Sequence, residues 1–306
     1  MAFKDGGRFG LSDLLMVFAV IFWGANFSFI KIALREMTPD GFNGWRLLLT
    51  AVLLLAVLAA SGEGFRVRRR DLAGLAALGI AGNAIYQAIF IHGMHGTTAS
   101  ISSLILSTSP IFVALISAVF RIERIPPISW AGILLSFAGL YLVIALQDGG
   151  LRLSPAGLAG DGLILLGTVI WASCTVFAKP FLSRMSPLKF SALTVAIGAL
   201  AYMPMTLPDM VAVDFAGVSW KAWGSLVFSA VFALVLGYIV WYYSVRRIGN
   251  ARTAVYNNVT PLFTAIFAAL LLGERLRPIQ AAGAAVVLVG VWLTRSGRRT
   301  SVAPEA

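Results

Sequence analysis

Six short clusters within long apolar runs carry most of the side chains able to do chemistry in this sequence. Asn83, Tyr86, Gln87 and Phe90 are spaced 0, 3, 4 and 7, which puts them on one face of a helix. Trp23, Asn26, Phe27 and Ile30 repeat that spacing. Tyr238, Trp241 and Tyr242 share a third face, and Thr253, Tyr256, Asn257 and Thr260 a fourth, just ahead of Pro261. Trp171, Cys174 and Thr175 form a fifth group, and Ser100, Ser103 and Ser107 a sixth. Amides and hydroxyls of this kind hydrogen-bond the polar ends of a small solute, while aromatic rings stack on its apolar part and attract an ammonium. Catalysis has no comparable constellation. Cys174, the single cysteine, has no histidine near it in sequence, no His-Glu-x-x-His run occurs, and no Cys/His cluster has metal-ligand spacing. The expectation is therefore a binding cavity, with no enzyme activity, metal or cofactor.

The elements that position these faces follow from composition. Hydrophobic residues make up 59% of the 306 and charged residues 12%, against about 45–50% and about 25% in soluble domains. Much of this apolar surface must face lipid. A hydrocarbon core of about 30 Å needs about 20 apolar residues in a helix. Stretches free of Asp, Glu, Lys and Arg run 14–30, 47–62, 72–120, 125–147, 162–178, 190–208, 222–245, 253–273 and 278–294. The third is too long for one crossing and is punctuated by the turn-like cluster from His92 to Thr98, so it is predicted to split there. The fold class expected is an all-α integral membrane protein of ten transmembrane helices. Pro39, Pro126, Pro127, Pro155, Pro187, Pro208 and Pro278 fall at or near the predicted boundaries. The run 14–30 follows Lys4 and Arg8 as a signal peptide would, but the spans that come after it make it the first crossing instead.

The net charge of +11 does not point to nucleic acid, because the basic residues lie between apolar runs. Most of them, among them Lys4, Arg8, Arg66, Arg68, Arg69, Arg70, Arg184, Arg246, Arg298 and Arg299, fall on the N-terminal side of the predicted topology. That excess marks the cytoplasmic face, so both termini are expected there.

The two halves match at a nearly constant offset. Thr108-Ser109-Pro110-Ile111-Phe112-Val113-Ala114 aligns with Val259-Thr260-Pro261-Leu262-Phe263-Thr264-Ala265 at 151 residues, as do Glu123-Arg124 with Glu274-Arg275, Gly132 with Gly283 and Gly139 with Gly290. Asp13, Trp23 and Lys31 align with Asp161, Trp171 and Lys179 at 148. The repeats expected are 11–147 and 157–295, with 1–10 and 296–306 as cytoplasmic tails. Five helices is an odd number, so the second unit is inverted relative to the first. Inverted repeats are a recurring construction of secondary transporters, because two such units can exchange conformations.

Pro-x-Phe-x-Ala, then Glu-Arg, then an Ala- and Gly-rich helix, together with Trp23-Gly24-Ala25-Asn26-Phe27, Pro39 and Arg46, resemble the EamA-type unit of the drug/metabolite transporter superfamily over almost the whole chain. Within it the sequence is most similar to the YddG-type amino-acid exporters. That resemblance implies export of amino acids, aromatic ones included, across a bacterial inner membrane; the alternative is a related carrier of a nucleobase, sugar derivative or drug. The first half reads Arg121-Ile122-Glu123-Arg124, without the glycine that precedes Glu274.

The candidate substrate-binding residues are Trp23, Asn26, Asn83, Tyr86, Gln87, Trp171, Tyr238, Trp241, Tyr256 and Asn257. Asn83, Tyr86 and Gln87 lie mid-span and are too bulky for close packing, and Trp23 and Trp171 lie too deep for an interfacial belt. Ser100, Ser103 and Thr253 fit helix packing better, and Lys31 and Lys179 fit snorkelling at helix ends. Gly132, Gly139, Gly283 and Gly290 suit close packing, either within the chain or in a homodimer; a monomer or homodimer is expected. No Asp or Glu lies mid-span, since Asp13, Asp161, Glu123 and Glu274 are at ends or in loops. The mid-span faces also lack cations, Arg46 near the start of helix two being the exception to watch. A zwitterionic solute moved by uniport or exchange fits best, rather than a cationic drug or a phosphorylated one. Flux in vesicles is accordingly expected to ignore an imposed pH gradient, and flux that follows the gradient would contradict this coupling.

Overall fold

The computed structural model describes residues 10–120, 127–145, 155–274 and 278–296, and the regular structure among them is helical. In chain order these helices are α1 (Leu11–Ala33), α2 (Pro39–Ala60), α3 (Arg69–Gly96), α4 in two pieces (Ala99–Leu106 and Ser109–Val119) and α5 (Pro127–Ala145). They continue as α6 (Pro155–Leu182), α7 (Pro187–Val211), α8 (Trp220–Ile248), α9 (Asn250–Ala254, Val255–Val259 and Thr260–Leu272) and α10 (Pro278–Ser296). Seven runs among the described residues, in α1 to α4 and α6 to α8, are long and apolar enough to cross a membrane; α5, α9 and α10 contain the shorter apolar runs Trp130–Gly139, Tyr256–Leu272 and Ala281–Gly290. Leu134, Leu200, Met205 and Leu270 are each more than two-thirds exposed on the bundle's outside, as suits a lipid-facing surface. The chain is a multi-pass membrane protein. Glu123, Arg124, Arg275, the loop arginines Arg121, Arg152 and Arg277, and the basic residues of both tails lie outside the described residues.

Local chemistry sets the helix starts. Thr38 Oγ1 accepts the Gly41 amide at 3.1 Å, Thr98 Oγ1 that of Ile101 at 3.2 Å, and Ser186 Oγ that of Lys189 at 3.0 Å. Each hydroxyl occupies an amide that the helix cannot pair internally. Proline opens α2, α5, α6, α7 and α10, where its missing N–H costs nothing. Ser219, which caps α8, donates its amide and hydroxyl to Glu36, each at 2.7 Å. These bonds, amide first, hold the Glu36 carboxyl below its usual pKa. They therefore tie the α1–α2 turn to α8 at neutral pH and are lost as acid protonates the carboxylate.

The break between α3 and α4 falls at the end of the His92–Thr98 cluster. Both histidines are helical, and the chain turns only at Thr97 and Thr98. Two charged side chains clamp this turn. Lys31 Nζ donates to the Met94 carbonyl at 2.8 Å, and Glu274 accepts the Ala99 and Ser100 amides at 3.1 and 3.2 Å. Lys31 is thus a bonded C-terminal cap rather than a snorkelling end, whereas Lys179 is exposed.

Irregular backbone recurs at corresponding places. α3 contains a π-helical segment, Ile80–Ile85, and α8 another, Ser229–Leu236. α4 breaks before Ser109-Pro110, and α9 passes through the 3-10 turn Val255–Val259 before Thr260-Pro261. At the α4 break, the Ser107 and Thr108 hydroxyls bond the Leu104 and Ile105 carbonyls at 2.7 and 2.6 Å.

α5 and α10 pack through their glycines. A Cβ on Gly139 would stand 2.7 Å from the Val287 amide nitrogen and 2.8 Å from the Gly283 carbonyl oxygen, and one on Gly290 would stand 2.6 Å from the Gly132 carbonyl oxygen. These two contacts interchange under the offset of 151. The small-residue face is therefore occupied within one chain. Gly139→Leu is expected to destabilise the protein by about 1–3 kcal/mol through overpacking. Gly162→Ala, where a Cβ meets nothing within 4 Å, should be neutral or stabilising; thermal unfolding in detergent compares the two.

Candidate functional site

A cavity lies among α1, α2, α3, α4, α6, α8 and α9. α1 contributes Trp23, Asn26 and Phe27, and α2 contributes Arg46. Tyr86, Gln87 and Phe90 come from α3, Ser103, Leu106 and Ser107 from α4, and Trp171 from α6. α8 adds Ala233, Leu234 and Tyr238, and α9 adds Asn257 and Thr260. The broken stretches of α4 and α9 both border this space.

Aromatic rings form one wall. Tyr86 lies 5.7 Å from Phe90 and 5.4 Å from Trp171 between ring centroids, and Trp171 lies 5.6 Å from Tyr238. Such offset and tilted arrangements hold the rings rigid. Trp23 is fixed by a 2.8 Å bond from its Nε1 to the carbonyl of Ala233, inside the π segment of α8. Its indole fits because position 237 is glycine: a Cβ there would sit 2.5 Å from the Trp23 Nε1.

A polar network forms another wall. Arg46 is 1% exposed. It donates to Asn43 Oδ1 at 2.5 Å, Gln87 Oε1 at 2.6 Å and Ser229 Oγ at 3.0 Å. Gln87 Nε2 in turn donates to the Tyr238 hydroxyl at 2.8 Å, and Asn43 Nδ2 to the Gln87 carbonyl at 3.2 Å. Gln87 and Tyr238, 151 residues apart, thereby meet across the centre of the bundle. Asn26 Oδ1, Arg46 Nε and Thr260 Oγ1 are buried without a hydrogen-bond partner among the described residues. All three belong to residues that line the cavity.

Of the ten residues read from the sequence, seven line this space: Trp23, Asn26, Tyr86, Gln87, Trp171, Tyr238 and Asn257. Three do not. Asn83 sits against Gly198 of α7, because the π segment that contains it widens the turn and breaks the α-helical phase joining it to Tyr86 and Gln87. Trp241 stands behind the wall, its ring 5.5 Å from Trp23 and 5.6 Å from Trp171. Tyr256 is drawn to the start of α1, where its hydroxyl bonds Asp13. Conversely, Arg46 is a lining residue, so the cavity is not free of cations, and Ser103, expected only to pack, also borders it. The sequence marked Arg46 as an exception, but neither its depth nor its direction follows from spacing in α2.

Comparison with known proteins fits this architecture. The model of the EamA-like transporter family matches residues 10–145 and again 158–296. The uncharacterized transporter YyaM of Bacillus subtilis is 30% identical over 283 residues, covering 90% of each chain. A probable terminal-alkyne amino-acid exporter of Streptantibioticus cattleyicolor is 29% identical, covering 93% of each chain. A solved crystal structure superposes with a TM-score of 0.70 at 16% identity, over 95% of this chain and 99% of that one.

Tyr86→Ala and Trp171→Ala are each expected to weaken solute affinity about tenfold or more through lost ring contacts. Asn83→Ala should leave it within about twofold. Gly237→Ala should displace the Trp23 indole and reduce transport, and tryptophan fluorescence reports that displacement directly.

Proposed function

The chain belongs to the EamA-like transporter family, and from that premise we propose that it exports amino acids, aromatic ones included, from a bacterial cytoplasm across the inner membrane. The observation that carries this reading is one cavity combining an aromatic wall with buried, unspent polar groups of both kinds: Arg46 Nε as a donor, and Asn26 Oδ1 and Thr260 Oγ1 as acceptors. Such a lining suits a zwitterion whose side chain is apolar or aromatic. The Streptantibioticus cattleyicolor relative, a probable terminal-alkyne amino-acid exporter, supports an amino acid as the cargo class.

In this reading the chain crosses the membrane ten times as two inverted five-helix repeats, 11–147 and 157–295, with both termini cytoplasmic. The paired π segments, the paired helix breaks and the interchanging contacts of Gly139 and Gly290 support it. The arginine-rich stretch 66–70 supports the orientation. Alternating access then exposes the cavity to one side at a time. The lining contains no carboxylate among the described residues, which supports uniport or exchange.

Proteoliposomes loaded with labelled phenylalanine test the cargo. Efflux should be competed by amino acids with large apolar side chains. Competition by nucleobases, sugars or cationic drugs, with none by amino acids, would replace this reading with the related-metabolite one.

A further inference from the structure

We propose that Arg46 is the docking group for a carboxylate on the transported solute, so that the cavity selects a free monoanionic carboxylate over its amide or ester. The inference deepens the function proposed above and rests on that cavity being the transport site.

Arg46 carries a charge that no described carboxylate compensates. Arg46 is 1% exposed within the membrane-spanning bundle. A buried cation there is costly, and it is normally paired or faces a pathway. No carboxylate among the described residues pairs with Arg46. Its three acceptors, on Asn43, Gln87 and Ser229, are neutral oxygens, and the Phe42 ring lies 5.3 Å from the guanidinium carbon. Asp40, one and a half turns earlier on α2, is engaged elsewhere: the Tyr202 hydroxyl donates to it at 2.5 Å, and His92 Nε2 lies 3.2 Å from both its oxygens. Neutral dipoles orient and partly solvate the guanidinium but leave its charge in place.

The second observation is a spare donor. A guanidinium has five N–H groups, and the three bonds above all use its Nη atoms. Nε is buried and has no acceptor among the described residues. Because Arg46 lines the cavity, an anion entering that space meets an uncompensated charge on a guanidinium whose Nε no described group fills. A guanidinium held in a fixed plane suits a carboxylate, which can accept two bonds from it. Arg46 is the one cationic side chain among the described lining residues, which matches a single negative charge better than a phosphate dianion. The acceptors Asn26 Oδ1 and Thr260 Oγ1 remain for an ammonium, and the rings of Trp23, Tyr86 and Trp171 for the side chain.

The test uses the full chain in detergent. Trp23 and Trp171 border the cavity, so indole fluorescence reports occupancy without requiring transport. The ligands are L-phenylalanine, L-phenylalaninamide and 3-phenylpropionate, which differ at the carboxylate and ammonium ends in turn. The wild-type protein should bind L-phenylalanine at least about tenfold more tightly than the amide, as expected for a lost charge-assisted bond. Arg46→Gln should abolish that preference and Arg46→Lys should retain part of it. Equal binding of acid and amide by the wild type, or full acid preference in folded Arg46→Gln, would overturn the proposal and leave Arg46 as a staple between α2, α3 and α8. If Arg46→Gln does not fold, the wild-type ligand series and Arg46→Lys decide the matter. Binding of 3-phenylpropionate without phenylalanine would uphold the carboxylate site and remove the amino-acid reading. Failure of all three ligands to bind would overturn both.

Discussion

Inside hydrocarbon no water is available to pair a peptide group, and each unpaired N–H or C=O costs several kcal/mol. This constraint makes the described regular structure helical, and it makes departures from the α-helix informative. The departures here are the π segments of α3 and α8 and the breaks in α4 and α9. They converge on the cavity, through Gln87 and Phe90 just beyond one π segment, Ala233 and Leu234 within the other, and Ser107, Asn257 and Thr260 at the breaks. Irregular backbone is tolerated where it borders protein or a cavity rather than lipid. Nearby hydroxyls, such as those of Ser107 and Thr108, supply bonds that the interrupted helix does not.

The same scarcity of water governs the polar side chains. Arg46, Asn43, Gln87, Tyr238 and Ser229 satisfy one another across three helices, so that α2, α3 and α8 are held in a single register. A network of this kind specifies an arrangement more than it stabilises one, since its members are desolvated in forming it. Asn26 Oδ1, Arg46 Nε and Thr260 Oγ1 are left without partners among the described residues, and in the proposed function a solute completes their shell.

Packing away from the cavity follows a different rule. Between apolar helices in lipid the attraction is van der Waals contact, so backbones approach where side chains are absent. Gly139 and Gly290 bring α5 and α10 together in this way. Gly198 admits Asn83 of α3 against α7, and Gly24 brings α1 against Phe263 of α9. Gly237 differs in use: its missing side chain makes room for the Trp23 indole, so a glycine shapes the cavity wall rather than a helix crossing.

The sequence by itself determined the membrane class, most helix starts, the paired landmarks and seven of the ten candidate residues that border the cavity. Hydrophobic content, cap and proline chemistry and helical spacing are local properties, readable without knowing what lies opposite. Only the tertiary structure decided the fate of Asn83, Trp241, Tyr256 and Arg46. A π segment shifted the face that Asn83 shares, since a widened turn is not encoded in residue spacing. Trp241 lies behind two other rings, and Tyr256 was captured by Asp13 from 243 residues away. Arg46 became the cavity's cation because α3 and α8 bring Gln87 and Ser229 to it, and no property of α2 alone specifies those neighbours.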